Sequence, residues 1–521
     1  MSAPHVGVRA GAVAPAEAPP GGAPAGAASA AATRPAPPCA LVIFGASGDL
    51  ARRKLVPALY SLAVGESLPA QFAVVGFARR EWSREVFEHE MLGGVNEFSR
   101  RRPADPEVWG RFGPSFDYVT GSFDDPEAYQ RLARQLEIID RERGTMGNRL
   151  YYLAASAGDF PTILHRLQAA GLLAKPHAKP WTRVILEKPF GRDLESAQAL
   201  NALVGRVLDE SQTFRIDHYL GKETVQNILV LRFANSIFEP LWNRNFIDYV
   251  EISAAETVGV ERRGTFYEST GVLRDIVQNH LLEVLALIAM EPPTTGTADD
   301  IRTEKLKVMK ALRDLWSDSI LKNVVLGQYR GYRNEPDVAP DSVTPTFAAL
   351  RVFVDNWRWQ GVPFYLRAGK KLAQRVTEVS LHLRPIPLSL FGRQDICEHL
   401  EPNVLTIRIQ PDEGIDLQFA SKIPGNDLAV GPVHMDMKYL ETFGGEPPEA
   451  YERLLLDAMR GDATLFSRRD AVELSWEWIT PILRHFEKNP PRDFPNYEPG
   501  SWGPERCVQM MRHDRRAWRE P

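Results

Sequence analysis

Residues 41–51 read LVIFGASGDLA, a short apolar strand pattern that runs straight into a turn of small residues. A helical pattern from Leu50 to Val64 follows. Such strand–turn–helix segments present backbone N–H groups and a helix N-terminus to a pyrophosphate. The small residues stand at 45, 48 and 51 rather than in the G-x-G-x-x-G spacing, so a simple tight turn is the alternative. Because this is the first strand pattern of the chain, we predict a dinucleotide loop made of Gly45, Ser47, Gly48, Asp49 and Leu50.

Short β-branched or aromatic runs alternate with amphipathic stretches from residue 40 to about residue 215. This alternation is typical of a parallel sheet with helices on both faces. It predicts an α/β Rossmann-like dinucleotide-binding domain over residues 39–215. The predicted strands are Leu41–Phe44, Phe72–Gly76, Phe116–Thr120, Leu150–Ala154, Arg183–Leu186 and Phe214–Ile216. The predicted helices are Leu50–Val64, Pro126–Arg141 and Asp193–Leu208, the last with Asp193 as its N-cap.

The end of the second strand indicates which dinucleotide binds. Folds that bind NAD usually carry an acidic residue there, which holds the ribose 2′-hydroxyl. This chain instead has Arg79 and Arg80, and a guanidinium matches the oxygens of a 2′-phosphate. We therefore predict NADP as the cofactor, with Arg79 as a contact. The alternative is that both arginines only cover the surface.

The pattern changes after about residue 216. Two helices are predicted, Ser269 to about Met290 and Thr303–Leu315, and then strands follow one another without helices between them. Such a run of strands indicates a largely antiparallel sheet. We predict a larger α+β domain over residues 216–521 with a mostly antiparallel sheet. Its predicted strands are Pro363–Leu366, Glu378–Leu383, Val404–Ile409 and Ile415–Phe419, and its last helices are Tyr451–Met459 and Arg469–Lys488.

Residues 217–223, DHYLGKE, gather a carboxylate, an imidazole, a phenol and an ammonium. On a helix, positions i and i+4 share one side, so His218 and Lys222 would reach one anion with Tyr219 alongside. Two cationic donors and a hydroxyl suit a phosphate monoester, whose oxygens accept charge-assisted hydrogen bonds. The alternative is a solvated helix start with Asp217 as its N-cap.

Three further residues have side chains that active sites commonly use, although no sequence motif shows that they form one. His280 lies on the apolar face of the predicted helix, where it could be a general base or an ordinary core histidine. Asp275 lies about 140° from it on an ideal α-helix, so it is not the obvious partner. Lys188 ends a parallel strand, at the edge where such folds bind ligands.

Composition excludes several classes of function. The 521 residues carry 62 basic and 67 acidic side chains, a net charge of −5, which argues against a nucleic-acid partner. Three scattered cysteines indicate a reducing, cytoplasmic compartment and no metal site. The longest apolar run is interrupted by Glu283, so we predict no membrane span. Residues 1–38, rich in Ala, Pro and Gly, are predicted to form a disordered tail.

Seven segments together resemble the glucose-6-phosphate dehydrogenase family, over everything from about residue 40 onward. The segment containing DHYLGKE is highly specific, and the order and spacing of the others agree. They are GASGDLARRKL (45–55), EKPFGRDL (187–194), RIDHYLGKE (215–223), VLRFAN (230–235), RDIVQNHLL (274–282), LRAGK (366–370) and RGDATLFSRRD (460–470).

The resemblance implies NADP-dependent oxidation of glucose 6-phosphate at C1 by a homodimer or homotetramer built on the antiparallel sheet. It implies that His280 is the general base and that Asp217 orients it. It also implies that His218, Tyr219 and Lys222 hold the phosphate. The implied contacts to sugar hydroxyls are Lys188, Glu256, Asp275 and Lys370, with Lys188 near the nicotinamide as well.

Three positions depart from the family's pattern. Residues 153–157 lack the proline pair usual after this strand, which leaves nicotinamide contacts there open. Arg375 stands where some members have a lysine near the phosphate, and it preserves the charge. Val376 replaces a lysine that animal members use for a second NADP, so we predict no second NADP site.

Two other functions fit parts of the pattern. An oxidoreductase of the glucose–fructose type shares the Rossmann domain and the Glu-Lys-Pro motif, but it gives no reason for His218 and Lys222. A non-catalytic regulator on the same fold would be expected to lose the base or its carboxylate, and this chain has both.

Overall fold

The computed structural model describes residues 36–388, 401–426, 429–445 and 447–521. These described residues belong to one compact unit that contains two sheets. Most of the predicted N-terminal tail lies outside the described residues, although Ala36 at its end is already buried. Within the described part of the chain, every helix is too short or too polar to cross a membrane.

The first sheet is parallel, as predicted, except at one edge. Its strands are β1 (Cys39–Phe44), β2 (Phe72–Ala78), β3 (Phe116–Thr120), β4 (Arg149–Leu153), β5 (Thr182–Leu186) and β6 (Thr213–Ile216). They lie in the order β6-β5-β4-β1-β2-β3, and a two-residue strand from far along the chain, Phe466–Ser467, pairs antiparallel with β6. Residues of β1, β2, β4 and β5 are almost all buried, as expected for strands covered on both faces.

Helices cover both faces of this sheet. They are α1 (Val56–Val64), α2 (Arg84–Phe98), α3 (Pro106–Phe112), α4 (Pro126–Arg143), α5 (Phe160–Ala169) and α6 (Leu194–Val207). The first predicted helix is confirmed, but its opening turn, Ala51–Leu55, is π-helical. Asp193 is the N-cap of α6, as predicted, and its side chain accepts a hydrogen bond from the backbone N–H of Ser196.

The second sheet is mostly antiparallel, as predicted. Its strands are β7 (Ile247–Ala255), β8 (Val324–Gly327), β9 (Phe347–Phe353), β10 (Pro363–Gly369), β11 (Val376–Leu383), β12 (Val404–Gln410), β13 (Gly414–Lys422) and β14 (Val430–Lys438). They lie in the order β14-β13-β12-β11-β7-β10-β9-β8. Only β7 and β10 pair in parallel among these strands, so their carboxyl ends meet at one edge.

The remaining helices are α7 (Glu223–Phe233), α8 (Gly264–Val272), α9 (Leu282–Ala289), α10 (Ala298–Lys310), α11 (Ser317–Asn323), α12 (Tyr439–Phe443), α13 (Ala450–Arg460), α14 (Arg469–Lys488) and α15 (Glu505–His513). The predicted helix 269–290 is α8 and α9 joined by a π-helical segment, Leu273–Leu281. Gly271 interrupts α8 at a φ of +57°, which favours glycine. The predicted helix 303–315 was placed about five residues too late, because Thr297 caps α10.

Candidate active site

The centre of the site is a buried pair formed by Asp217 and His280. Asp217 follows β6 directly, and His280 lies in the π-helical segment. His280 Nδ1 lies 2.6 Å from Asp217 Oδ1, and Oδ1 also accepts the backbone N–H of Tyr219 at 2.9 Å. Both side chains are almost completely buried. The pair that the family resemblance implies is therefore present as a direct contact.

Lys188, two residues beyond β5, fixes the tautomer of this imidazole. Its Nζ lies 3.1 Å from His280 Nε2, 2.9 Å from the backbone oxygen of Asp275 and 3.2 Å from Asp275 Oδ1. An ammonium group has three protons and no lone pair, so it can only donate. Nε2 is therefore the acceptor, and the ring proton is on Nδ1, directed at Asp217. The lone pair that a general base needs faces the Lys188 ammonium.

The π-helical segment changes the relative positions of Asp275 and His280 from those that an α-helix would give. In a π-helix the hydrogen bonds join residues five apart, so residues i and i+5 lie nearly above one another. Asp275 and His280 are five residues apart, and Lys188 contacts both. The prediction that Asp275 is not the obvious partner of His280 is confirmed, because Asp217 holds His280 Nδ1, but the 140° angle used for it does not apply in a π-helical segment.

Burial and neighbouring charges shift the pKa values of His280, Asp217 and Asp275 in different directions. Burial and then the charge of Lys188 hold the pKa of His280 well below its usual value. Burial raises the pKa of Asp217, against the opposing charge of His218. Burial would also raise the pKa of Asp275, but the charges of Lys188 and Lys370 outweigh it and hold that pKa below its usual value.

The segment 217–222 is a turn and not a helix, so the predicted i, i+4 geometry of His218 and Lys222 is wrong. The helix α7 begins at Glu223 with Lys222 as its N-cap, and Asp217 caps no helix. A Cβ at Gly221 would lie 2.7 Å from the backbone oxygen of Ala450. The glycine is therefore required by the close packing of this turn against α13.

The turn nevertheless brings the predicted phosphate contacts around the imidazole. The ring of Tyr219 stacks on His280 at 4.2 Å, and the ring of His218 lies 4.6 Å from it. Lys222 Nζ lies 5.1 Å from the centre of the Tyr219 ring. Burial lowers the pKa of Lys222 to about 8; Glu413 opposes this shift, and Arg375 adds to it. Arg375 therefore lies close enough to act on Lys222, and its contact with the phosphate stays a prediction.

Gln410 and Glu413 lie close to Lys222, and neither was predicted from the sequence. Gln410 ends β12, its Oε1 accepts from Lys222, and its Nε2 donates to Thr377 Oγ1 at 3.0 Å. Glu413 lies in the turn before β13. The available signal was the polar run that follows the predicted strand 404–409, a position typical of loops as well as of sites.

Glu256 and Lys370 form an ion pair at one end of the site. Glu256 follows β7 and Lys370 follows β10, and the parallel pairing of these strands places both residues at the same edge. Lys370 Nζ lies 2.5 Å from Glu256 Oε2. Because Lys370 also lowers the pKa of Asp275, the pair faces the side of the site where Lys188 and Asp275 meet.

The predicted dinucleotide loop directly follows the carboxyl end of β1. Gly45 has a φ of +84°, and a Cβ there would lie 2.4 Å from the backbone oxygen of Ala154, so no larger residue fits. Ser47 and Leu50 are half-buried, whereas Gly48 and Asp49 are exposed. Arg79 is exposed at the end of β2, beside the loop whose Gly45 N–H donates to Phe77 O. An open loop next to an exposed guanidinium suits a phosphorylated dinucleotide.

Asp217, His218 and His280 also have the side chains of a small metal centre, since their ligand atoms lie within 4.8 Å of one another. A cation there would compete with the hydrogen bond between Asp217 and His280 and would face the Lys188 ammonium. The geometry is explained by hydrogen bonding alone, and the absence of a metal stays a prediction.

Two family models match the chain. One, "Glucose-6-phosphate dehydrogenase, NAD binding domain", covers residues 42–227. The other, "Glucose-6-phosphate dehydrogenase, C-terminal domain", covers residues 229–519. Among curated proteins, glucose-6-phosphate 1-dehydrogenase of Chlamydia pneumoniae is 46% identical over 500 residues, which are 93% of this chain and 97% of that protein. Glucose-6-phosphate 1-dehydrogenase 2 of Mycobacterium tuberculosis is 45% identical over 498 residues, covering 94% and 96%.

Two solved structures agree with this. The crystal structure of glucose-6-phosphate 1-dehydrogenase from Mycobacterium avium superposes with a TM-score of 0.80 at 39% identity, covering 93% of this chain and 99% of that one. A glucose-6-phosphate dehydrogenase in complex with its substrate glucose-6-phosphate superposes with a TM-score of 0.85 at 33% identity, covering 94% and 100%. Sequence, fold and matched length agree along almost the whole chain, which therefore belongs to the glucose-6-phosphate dehydrogenase family.

Proposed function

We propose that this protein oxidises glucose 6-phosphate at C1 with NADP, forming 6-phosphoglucono-1,5-lactone and NADPH. The observation that carries the proposal is the neutral imidazole of His280. Its Nδ1 proton is held by Asp217, and its Nε2 lone pair faces a site lined by cationic side chains. A base of this kind, surrounded by donors for a phosphate, suits a phosphorylated alcohol as substrate.

In this mechanism His280 Nε2 takes the proton of the C1 hydroxyl, and Asp217 stabilises the imidazolium that forms. When bound, NADP would supply the acceptor for the hydride of C1, so that the carbon is oxidised by two electrons. Lys188 has to release Nε2 before the substrate hydroxyl can reach it. It keeps its two contacts to Asp275, which hold its charge beside the reacting atoms.

The remaining residues are assigned by their chemistry. We propose that Lys222, His218, Tyr219 and Arg375 hold the 6-phosphate. Lys370, Glu256, Asp275 and Lys188 then contact the sugar hydroxyls, since a carboxylate accepts and an ammonium donates to such groups. The loop Gly45, Ser47, Gly48, Asp49 and Leu50 binds the pyrophosphate of NADP, with Lys188 near the nicotinamide.

Three broader predictions also stay proposals. The division into domains at residue 215 and the cytoplasmic location rest on sequence patterns. A homodimer or homotetramer needs a surface that a second copy can cover. The edge strand β14 and the helix after it expose Val433, Met435, Leu440 and Phe443, and exposed apolar side chains of this kind suit a protein interface.

One assay tests the proposed activity. NADPH absorbance is followed with purified protein and glucose 6-phosphate, glucose or 6-phosphogluconate as substrate. We expect rapid NADPH formation with glucose 6-phosphate alone. A preference for unphosphorylated glucose would support the glucose–fructose type of oxidoreductase instead. No turnover of any of the three, with NADP still bound, would support the non-catalytic regulator.

Replacing Arg79 by alanine is expected to raise the KM for NADP about ten-fold or more, the effect of one charge-assisted hydrogen bond. The KM for NAD should hardly change, because NAD has no 2′-phosphate. Initial rates with both cofactors check this, and the variant lacking both Arg79 and Arg80 tests whether one replaces the other. Parallel changes with NADP and NAD would show that Arg79 has only a structural role.

The value of kcat/KM is expected to fall at both low and high pH. His280 must be neutral to act as a base, so activity is lost as pH falls through its lowered pKa, well below about 6.5. Lys222 must be charged to hold phosphate, so activity is lost as pH rises through about 8. Lys222→Arg keeps the charge at all these pH values and should move the alkaline limb upward. An unchanged alkaline limb would show that Lys222 does not cause it.

A further inference from the structure

A small cavity of about 20 Å³ borders Asp217 in the interior of the protein. Its wall is formed by the segment 188–190 and by residues from the end of β6, the π-helical segment, α9, α10, the short strand Phe466–Ser467 and α14, and much of it is polar. The polar groups are Lys188, Asp217, Gln278, Asn279, Glu283, Ser467 and Ser475. Polar side chains at this depth are normally matched by hydrogen-bond partners, so a polar atom here that lacks one indicates an occupant that supplies it.

One oxygen of Asp217 lacks such a partner. Oδ1 accepts hydrogen bonds from His280 Nδ1 and from the backbone N–H of Tyr219. Oδ2 is buried, and no group within the described ranges of the chain donates a hydrogen bond to it. A buried carboxylate oxygen without a donor is strongly disfavoured. Asp217 therefore needs a donor that the surrounding side chains do not provide.

The nearby cations are already engaged. Lys305 Nζ lies 2.5 Å from Glu283 Oε2, and both side chains are buried. Lys188 directs its three protons at two atoms of Asp275 and at His280 Nε2. Ser467 donates to Glu283 at 2.5 Å, and Ser475 donates to the backbone oxygen of Val472 at 2.8 Å.

We propose that one ordered water occupies this cavity, donates a hydrogen bond to Asp217 Oδ2 and so holds the carboxylate against His280. The volume suits one molecule, because a buried water needs roughly 10–15 Å³ for its centre. Gln278 Nε2 already donates to Ser475 Oγ at 2.8 Å, and Asn279 Nδ2 donates to the backbone oxygen of Arg274 at 3.2 Å. Each amide has a second N–H and a further oxygen lone pair, which a water in this space can use. With Asp217 they supply the two to four polar partners that a buried water requires.

The water itself is independent of the proposed function, whereas its catalytic role rests on it. With Oδ2 paired, Asp217 is kept ionised and in place, and the imidazole keeps its Nδ1 proton. Without the water, the negative carboxylate loses a stabilising donor, so the pair should take up a proton at higher pH. The titratable groups that face Asp217 and share in this titration are His218, His280, Lys188, Lys305 and Glu283.

The direct test is electron density from a crystal of the full chain. We expect one spherical peak about 2.6–3.0 Å from Asp217 Oδ2, refining as water. An empty cavity, or a peak out of hydrogen-bond reach of Oδ2, would overturn the proposal whether or not the protein is active.

The functional test uses two variants at Ala471, a buried residue of α14 that lines the cavity. Ala471→Val fills the space and should expel the water, whereas Ala471→Gly leaves room for it and weakens the helix. The valine variant should lose about ten-fold in kcat with unchanged KM, and its acid limb should move to higher pH. The glycine variant should keep the kcat and the acid limb of the unmodified protein. Equal kcat and acid limbs in the two variants would refute the positioning role, and if the valine variant fails to fold, the density decides.

Discussion

Replacing His280 by asparagine is expected to lower kcat about 10²–10⁴-fold, the usual contribution of a positioned general base. Asparagine can still fill part of the space, but it has no basic lone pair near neutral pH. The Kd for glucose 6-phosphate should change little, because the proposed phosphate contacts are other residues. Steady-state rates together with binding measured by calorimetry separate the two effects.

His382 provides a matched control for this variant. It is a second buried histidine, lies 2.8 Å from the carboxylate of Glu251, and stacks on Tyr249 at 4.0 Å, but it belongs to β11 in the second sheet. His382→Asn should destabilise the protein in the same way and leave kcat of the folded enzyme near normal. If both variants lose activity equally, or if His280→Asn keeps near-normal kcat, His280 is an ordinary core histidine.

Lys222→Ala is expected to lower kcat/KM for glucose 6-phosphate roughly 10- to 150-fold. Removing a hydrogen bond to a charged group loses about 1.5–3 kcal/mol of interaction free energy, and such a loss in the transition state appears directly in kcat/KM. Activity on unphosphorylated glucose should hardly change. Both substrates are therefore measured with each preparation.

Lys307→Ala is the matched control, because Lys307 forms a more exposed ion pair with Glu304 at 2.7 Å on α10. It removes one positive charge that does not act on Lys222, and kcat/KM for glucose 6-phosphate should stay close to that of the unmodified protein. Equal losses on glucose and glucose 6-phosphate in the Lys222 variant would mean that Lys222 does not contact the phosphate.

The fold was predictable wherever local pattern and burial agree. The strands β1 to β6 are short apolar runs between helical patterns, and their positions were predicted to within about two residues. The unpredicted strands β7, β8, β9 and β14 belong to the second sheet. The partners of β7 lie more than 100 residues further along the chain, whereas β14 is largely exposed and therefore has no apolar run. The boundary of α10 was misplaced because the cap at Thr297 was overlooked, although apolar periodicity marked the helix.

The site was predictable in its residues more than in its geometry. His280 and Asp217 are 63 positions apart, so no spacing rule joins them, and only the family resemblance did. His218 and Lys222 were chosen for the right chemistry with the wrong conformation, because a turn can gather the same groups as a helix. Asp275 was correctly set aside as the partner of His280, but the angle between the two residues was wrong, because a π-helical segment is not visible in apolar periodicity.

Gln410 shows a second limit of sequence reasoning. It contacts Lys222 although 188 positions separate them, and an uncharged amide after a strand carries no distinctive signal. Glu256 and Lys370 meet because β7 and β10 pair in parallel. That pairing is set by the packing of the whole sheet, so their proximity could not be derived from either segment alone.

The central claim is that a hydride leaves C1 of glucose 6-phosphate for NADP. The most direct test is turnover of glucose 6-phosphate carrying deuterium at C1, followed by mass spectrometry of the reduced cofactor and of the sugar product. We expect the deuterium in NADPH and a sugar acid without it. NADPH that forms without deuterium, or a product that keeps the label at C1, would contradict the account.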